Sequence, residues 1–532
     1  APLRASGAFS SALIRAVRVV VVGGFAAFAI ALLLVRFVVF PYVESYRDRL
    51  ASMLAQQLGH PVEIAALTTG WDGWNPKFVM EGFRVQDRGL ARAAPLLELP
   101  EVGLIVSWTS LPLLELRLKE LVIDRPRLSI RRDRAGILHV AGLEIDPAQT
   151  TDDLGLTEWI LHQPEIVIRD ALITWDDDQR NAPQLVLDRV QLRLESRFGR
   201  HRFGLKGTPP AELASPLDLR GDFTATSLKD WEKAEGRLFV RLDYADVAAW
   251  REWLPLPAQI ASGKGALRIW FQFADGEARE VVADLELADV EARLADELPE
   301  LRLAHLSGRV GWRRSARERE IFTRDLAFVT TGGERHDPTN FSLVMRGDAH
   351  DPAASGQIEF DQLQLEPLVA FGAHLPLAER IRVDLARFAP RGALAHGRGR
   401  WEGTADSPKA FAASAEFRQL GVTAQDAFPG ATGITGRFDV NQDGGEIRVA
   451  SHDAALDLPH VFRAPISFDN LRSVVKWERR DRTTTVRIEQ FEFANADLAG
   501  SASGTWRANA QGPGEIDLVA QLSRALPGTM HR

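Results

Sequence analysis

The stretch Leu238-Phe239-Val240-Arg241-Leu242-Asp243-Tyr244, with Asp284-Leu285-Glu286-Leu287 after it, decides the fold class. Apolar and polar residues alternate in both, and a period of two sends them to opposite faces of a β-strand. Similar runs, among them Leu116-Arg117-Leu118-Lys119 and Leu192-Arg193-Leu194-Glu195, recur from about Trp71 to the last residues. Turn signals separate them at Asp72-Gly73, 133–136, 176–181, Asp275-Gly276, 331–333 and Asp443-Gly444-Gly445. Beyond residue 60 only 154–162, 246–253 and 366–372 read as helical. The expectation is a mostly-β chain in which an elongated, twisted antiparallel sheet curls into an apolar groove. Roughly 30–40 strands about 4.8 Å apart would make a sheet on the order of 150 Å long.

A single hydrophobic anchor precedes the sheet. Residues 19–35 are uncharged and apolar, and Phe37-Val38-Val39-Phe40 extends them past Arg36. At 1.5 Å per residue this run crosses a hydrocarbon core of about 30 Å, with Arg36 snorkelling to the headgroups. Arg4, Arg15 and Arg18 precede it with no acid among them, which places the N-terminus in the cytoplasm. A cleavable signal peptide is the rival reading. The bulky exit at Phe37 to Pro41 lacks a small-x-small cleavage site, so retention is expected. Val43, Tyr46, Leu50, Met53, Leu54 and Leu58 then form a helical stripe that ends at Gly59 and Pro61. Such a helix would cap the first strand edge.

Composition narrows the function classes. Net charge is 64 − 72 = −8 with no Lys/Arg-rich block, so nucleic acid is not an expected partner. The absence of cysteine excludes disulfides, thiolate metal sites and a Cys nucleophile, and suits an oxidising compartment. Thirteen Trp against three Tyr favour apolar anchors on sheet faces over a polar binding surface.

An internal repeat runs at an offset of 121 to 131 residues. Ile358-Glu-Phe-Asp-Gln-Leu-Gln-Leu365 with His374-Leu-Pro-Leu377 echoes 238–244 with Trp253-Leu-Pro-Leu256. Gly397-Arg-Gly-Arg-Trp401 matches Gly265-Ala-Leu-Arg-Ile-Trp270. Segments from Ala415 and Phe428 match those from Leu285 and Leu298. The expected organisation is a cytoplasmic tail (1–16), a transmembrane anchor (17–40), a capping helix (41–59) and an N-terminal β-groove (60–235). Two β repeat units follow (236–356 and 357–514), and 515–532 opens another. Both ends read as those of a fragment.

The sequence carries no motif of catalytic or metal chemistry. No His-Glu-x-x-His occurs, and His452 with His460 fits no zinc spacing. Asp176-Asp177-Asp178 lacks the Gly and Glu of a calcium loop and reads as a charged hairpin tip. Gly397 to Gly403 has the wrong glycine spacing for a dinucleotide loop, and no P-loop or nucleophile elbow is present. The chain reads as non-enzymatic, with no cofactor and no metal.

Several segments carry a family resemblance. Leu58-Gly-His-Pro-Val-Glu-Ile64 after the anchor resembles the N-terminal signature of AsmA-like proteins. Trp71-Asp-Gly-Trp-Asn-Pro-Lys-Phe78 and 116–133 follow, then Trp159 to Ala171 with Trp175, Pro209 to Gly221, Leu456-Asp-Leu-Pro-His-Val-Phe462 and Val519 to Ala525. No single motif is diagnostic, but their order is similar to that of the AsmA-like/TamB family across essentially the whole chain. The resemblance implies a bridge-like lipid carrier of Gram-negative bacteria, held in the inner membrane with its bulk in the periplasm. Phospholipid would be its cargo, and outer-membrane or envelope proteins its possible partners.

Alternation suggests groove-lining positions: Leu116, Leu118, Leu128, Ile130, Leu185, Leu187, Leu192, Leu194, Leu238, Val240, Leu242, Leu285, Leu287, Ile358 and Phe360. A one-residue slip would turn any of these sets outward. Two other functions compete with lipid transfer. One is an anchored scaffold that assists outer-membrane protein assembly or secretion by strand addition. The other, an envelope hydrolase, needs a catalytic cluster the sequence lacks. A packed sandwich core would be the structural alternative to an empty groove.

Overall fold

A computed structural model describes residues 6–58, 60–86, 97–110, 117–140, 143–145, 162–225, 233–254, 259–347, 353–375, 379–404, 407–425, 428–459, 462–480, 483–508 and 514–525. Gly59, Leu116 and nearly all of the helix expected at 154–162 lie outside them. Strands occupy 67% of the chain, so it is mostly β as its alternation predicts. Contacts divide it into two units, Ala1–Ala211 with Pro216–Gly236, and Glu212–Ser215 with Arg237–Arg532.

The first unit opens with helix α1 (Ser6–Leu34). A π-helical turn (Val35–Val39) and a 3-10 segment (Phe40–Tyr46) lead into α2 (Arg47–Leu58). One span within the continuous run Arg15–Gln56 is long and apolar enough to cross a membrane. In α2 the side chains packed on the sheet are Leu50, Ala51 and Leu54, which meet Ile64, Phe83 and Val85. Tyr46 and Met53 of the expected stripe face outward instead.

Its strands are β1 (Val62–Glu63), β2 (Ala66–Asp72), β3 (Asn75–Val85), β4 (Leu97–Val106), β5 (Leu118–Asp124), β6 (Arg127–Arg132), β7 (Leu138–Val140) and β8 (Leu143–Ile145). After them come β9 (Glu165–Asp177), β10 (Ala182–Arg197), β11 (Arg200–Thr208) and β12 (Leu217–Thr224). Pairing is antiparallel except that β9 runs parallel to β5 and β6. The connection from 133 to 164 is long enough for the crossover that parallel pairing requires.

The second unit holds β13 (Glu235–Asp246), β14 (Gln259–Ala274), β15 (Glu277–Arg293), β16 (Leu301–Arg314), β17 (Glu318–Thr330), β18 (Arg335–Arg346) and β19 (Ser355–Gln364). Two helices, α3 (Leu365–Gly372) and α4 (Glu379–Phe388), interrupt the strands. The remaining strands are β20 (Arg391–Thr404), β21 (Ser407–Val422), β22 (Gly430–Asn441), β23 (Gly444–Asp457), β24 (Ile466–Arg480), β25 (Thr483–Ala494), β26 (Leu498–Arg507) and β27 (Glu515–Ala525). From β14 onward each strand pairs with the next in a plain antiparallel meander. The repeated sequence corresponds to one strand, a short helical turn and three strands: β13 to β16 in one copy and β19 to β22 in the other. Helix α4 carries no signal used in the sequence reading, because its charged residues mask the short apolar spacing.

There are 27 strands among the described residues rather than 30–40, because many are longer than a typical strand; β15 alone has 17 residues. Length is possible because most long strands contain a bulge. Asp170, Arg189, Asp289, Asp325, His396, Gln419 and Asp453 each sit inside a strand with φ between 48° and 55°. The inter-strand register shifts at several of these points, as between Leu187 and Val190 or Thr323 and Leu326. One inserted residue reverses parity, bends the strand and keeps apolar side chains on the same face. Thus β10 presents Leu194, Leu192 and Val190 before the bulge and Leu187 and Leu185 after it. Four of the seven are Asp, a residue that tolerates the left-handed region.

Burial follows the bulges. Ala171 and Val190 are 2% and 1% exposed beside Asp170 and Arg189, and Ala454 is 1% exposed beside Asp453. Leu287 and Val290 flank Asp289, Ala395 precedes His396, and Phe417 lies close to Gln419, all buried. Side chains on either side of a bend cover one another only on its inner surface. Within each unit, therefore, the apolar face is concave along the line of bulges.

Candidate functional site: a continuous apolar sheet face

In the second unit, cross-strand pairing builds an uncharged row from β14 to β27. Its members in order are Phe271, Val281, Trp312, Ile321, Leu343, Ile358, Gly399, Ala413, Val440, Gly445, Trp477, Val486, Trp506 and Ile516. Strands about 4.8 Å apart make this row about 62 Å long. A neighbouring row contains Thr323, Phe341, Phe360 and Gly397. Away from the bulges this face is only partly covered: Ile321 is 43% exposed and Phe411 39%. Partly uncovered apolar surface of this extent is unusual in a protein without a partner or ligand for it.

The first unit has two such rows. Phe78, Leu104, Leu121, Ile166, Leu194, Phe203 and Gly221 form one, from β3 to β12. Met80, Val102, Ile123, Ile168, Leu192, Leu205 and Leu219 form the other. Val102, Leu118, Leu121 and Ile166 are buried where the rows pass the bend, and Leu194 packs against them.

Ion pairs between neighbouring strands of the second unit line the opposite face. Arg309 holds Asp284 at 2.5 Å and lies over Trp270, 5.3 Å from the ring centre. Arg313 bridges Glu280 at 2.6 Å and Glu320 at 3.2 Å while covering Phe322. The hydrogen bonds that the two guanidinium groups donate to Asp284 and Glu280 raise the pKa values of both. A hollow of about 550 Å³ lined by Arg313, Glu320, Arg324 and Arg398 also lies on this side, between long charged side chains. The triplet Asp176-Asp177-Asp178 is more than a solvated tip. Asp177 is buried and bonded to Arg132, Asp178 pairs with Arg131 at 2.5 Å, and Gln184 donates to Asp176. Among the described residues no three His, Asp or Glu side chains are grouped to hold a metal ion.

Thirteen of the fifteen positions suggested by alternation fall on the apolar side or alternate in step with it, with Leu116 outside the described residues and Leu242 further along β13. Leu118, Leu192 and Leu194 belong to the rows of the first unit or pack on them. Leu128 and Ile130 stand opposite Ile173 and Trp175, which in turn face Leu187 and Leu185. Leu285 and Leu287 pair with Leu267 and Gly265, and Ile358 and Phe360 with Leu343 and Phe341. Phe239 packs at a tilt on Trp270 of the charged side, so Leu238 and Val240 alternate to the other face. Leu242 is itself buried. The sequence reading missed Trp312, Ile321, Phe341, Ile166 and Ile168. A parity switch such as Leu287-x-x-Val290 was the available signal, since a mid-strand bulge leaves an apolar pair three apart.

The helical run docks directly on this face. Phe40 is buried against Trp71 and Phe78, with ring centres 5.1 and 5.8 Å away. The Glu44 carboxylate accepts the Leu67 N–H at 2.8 Å, and Arg47 donates to the Ala65 carbonyl at 3.2 Å. These side chains occupy backbone groups on the free edge of β2 that an added strand would need.

The family model described as YhdP protein matches residues 10–532, so the chain belongs to that family. This agrees with the AsmA-like resemblance carried by the sequence. No curated protein matches the chain.

Proposed function

We propose, from its membership of the YhdP family, that this chain moves phospholipid acyl chains between the inner and outer membranes along its apolar sheet face. The anchor α1 crosses the inner membrane with the N-terminus in the cytoplasm, and the strands lie in the periplasm. The protein acts without catalysis or a cofactor.

The uncharged row from Phe271 to Ile516 is the observation that carries this reading. Burying each acyl CH₂ gains about 0.8 kcal/mol, and a row without polar interruptions offers similar affinity at each step. That favours sliding over capture at one point. Headgroups stay in water at the rim.

A photo-crosslinking residue at Ile321, on the apolar face, tests the proposal against one at Glu320, on the charged face. Phospholipid joined to position 321 and absent from 320, identified by mass spectrometry, is the expected result. Crosslinks from strand edges to polypeptide, with none to lipid at 321, would instead support the scaffold function.

A further inference from the structure

We propose that the tips of the first strands enter the lipid leaflet beside α1 and form the mouth through which lipid reaches the apolar face; the second half of this statement rests on the transport reading. The covered residues of the anchor are periodic. Ala31, Leu32 and Val35 are half-buried and Phe40 is buried, while Phe28, at 36%, is less exposed than Phe25 or Ile30 on either side of it, and the five are spaced as one helical stripe. The stripe faces the sheet: Phe28 meets Trp108 edge-on at 4.9 Å, and Phe40 meets Trp71 and Phe78.

Helix and sheet run alongside each other between two contacts, Phe40 on Phe78 and Phe28 on Trp108. From Phe40 back to Phe28 the helix rises about 18 Å. Trp108 lies past the end of β4, four residues or at most about 13 Å beyond the Leu104 that pairs with Phe78. Phe28 belongs to the uncharged segment that crosses the membrane, so Trp108 sits beside lipid and not above it.

The tip is built for that setting. Trp74, at the β2–β3 turn, is 73% exposed, and its carbonyl accepts the Trp108 indole N–H at 2.8 Å. Ser107 N–H donates to the Arg117 carbonyl, and Ser110 Oγ–H does the same. Lys119 and Asp72 neutralise each other at 3.2 Å. The Trp108 ring is a large apolar body whose one polar group, the indole N–H, is already paired. Phe78 and Met80, where the two apolar rows begin, follow on the same strand.

The chain has no cysteine, so single labels are unambiguous. Trp74→Cys, Thr109→Cys and, as an aqueous control, Phe198→Cys are all at exposed positions. The full chain would carry an environment-sensitive fluorophore at each, in nanodiscs of phosphatidylethanolamine and phosphatidylglycerol. Labels at 74 and 109 should be blue-shifted and quenched by spin-labelled lipid, while the label at 198 responds to iodide. Iodide quenching at 74 and 109 equal to that at 198 would overturn insertion. A photo-crosslinker at Leu194 in the same preparation reads lipid loading separately. Inserted tips with an empty position 194 would count against the transport reading alone. Lipid at 194 with aqueous tips would count against the mouth alone.

Discussion

Gly356 stands directly across from Trp401, and the indole lies over it so closely that a Cβ at 356 would be 2.0 Å from Cζ2. Gly397 bears the same relation to Phe360 on the neighbouring row. Each glycine lets an aromatic ring lie flat across the strand, which keeps the apolar face smooth. Gly356→Val should therefore overpack the pair and cost about 1–3 kcal/mol, read as a lower thermal midpoint. An unchanged midpoint would mean that Trp401 swings away freely.

Charge on the apolar face should act differently at its flank and at its bend. Ile321 is 43% exposed, so Ile321→Asp should leave the circular dichroism spectrum intact while reducing lipid crosslinked at neighbouring positions. Leu287 is buried in a cluster with Val290, Leu303 and Phe328. Leu287→Asp should instead destabilise the sheet by more than about 3 kcal/mol, since a carboxylate there has no partner.

The Arg132–Asp177 pair should be the most sensitive of the ion pairs described. Burial pushes the Asp177 carboxyl up, but hydrogen bonds from Arg132 and the Arg180 N–H outweigh it and hold the pKa below the ordinary value. Arg132→Ala should cost about 3–5 kcal/mol by stranding the carboxylate. Because the folded pKa is lowered, this contribution is complete above the unfolded value of about 3.9 and is lost as pH falls below it. Acid unfolding of the Asp177→Asn variant should lose that part of the pH dependence. By contrast, Arg346→Ala, which breaks an exposed pair with Glu318, should change stability by about 1 kcal/mol or less.

His336 should make the second unit sensitive to mild acid. It is buried against Phe328, and its Nδ1–H donates to the Asp337 carbonyl at 2.8 Å. Burial lowers its pKa, and the nearby Asp337 and Asp361 only partly offset this. The neutral ring is favoured in the fold, so stability holds above the unfolded value of about 6.5 and declines as pH drops below it. His336→Phe should flatten the thermal midpoint between pH 7 and pH 5. A variant with the wild-type slope would assign the effect to other groups.

Strand alternation, the turn signals and the uncharged run at 19–35 determined by themselves that this protein is a mostly-β chain behind one apolar helix. These are local properties, set by which side chains can share a strand face or a bilayer. The two copies of the repeat were readable for the same reason, because each strand carries its own pattern. Which apolar residues meet was not readable, since register depends on bulges whose positive-φ residues have no strict sequence code. Leu185 and Leu194 have opposite parity, and only the bulge at Arg189 puts them on one face. The same bends make that face concave, and the docking of Phe40 on Phe78 ties its first row to the apolar N-terminal helical run. Those relationships join residues far apart in the chain, so tertiary structure alone decided them.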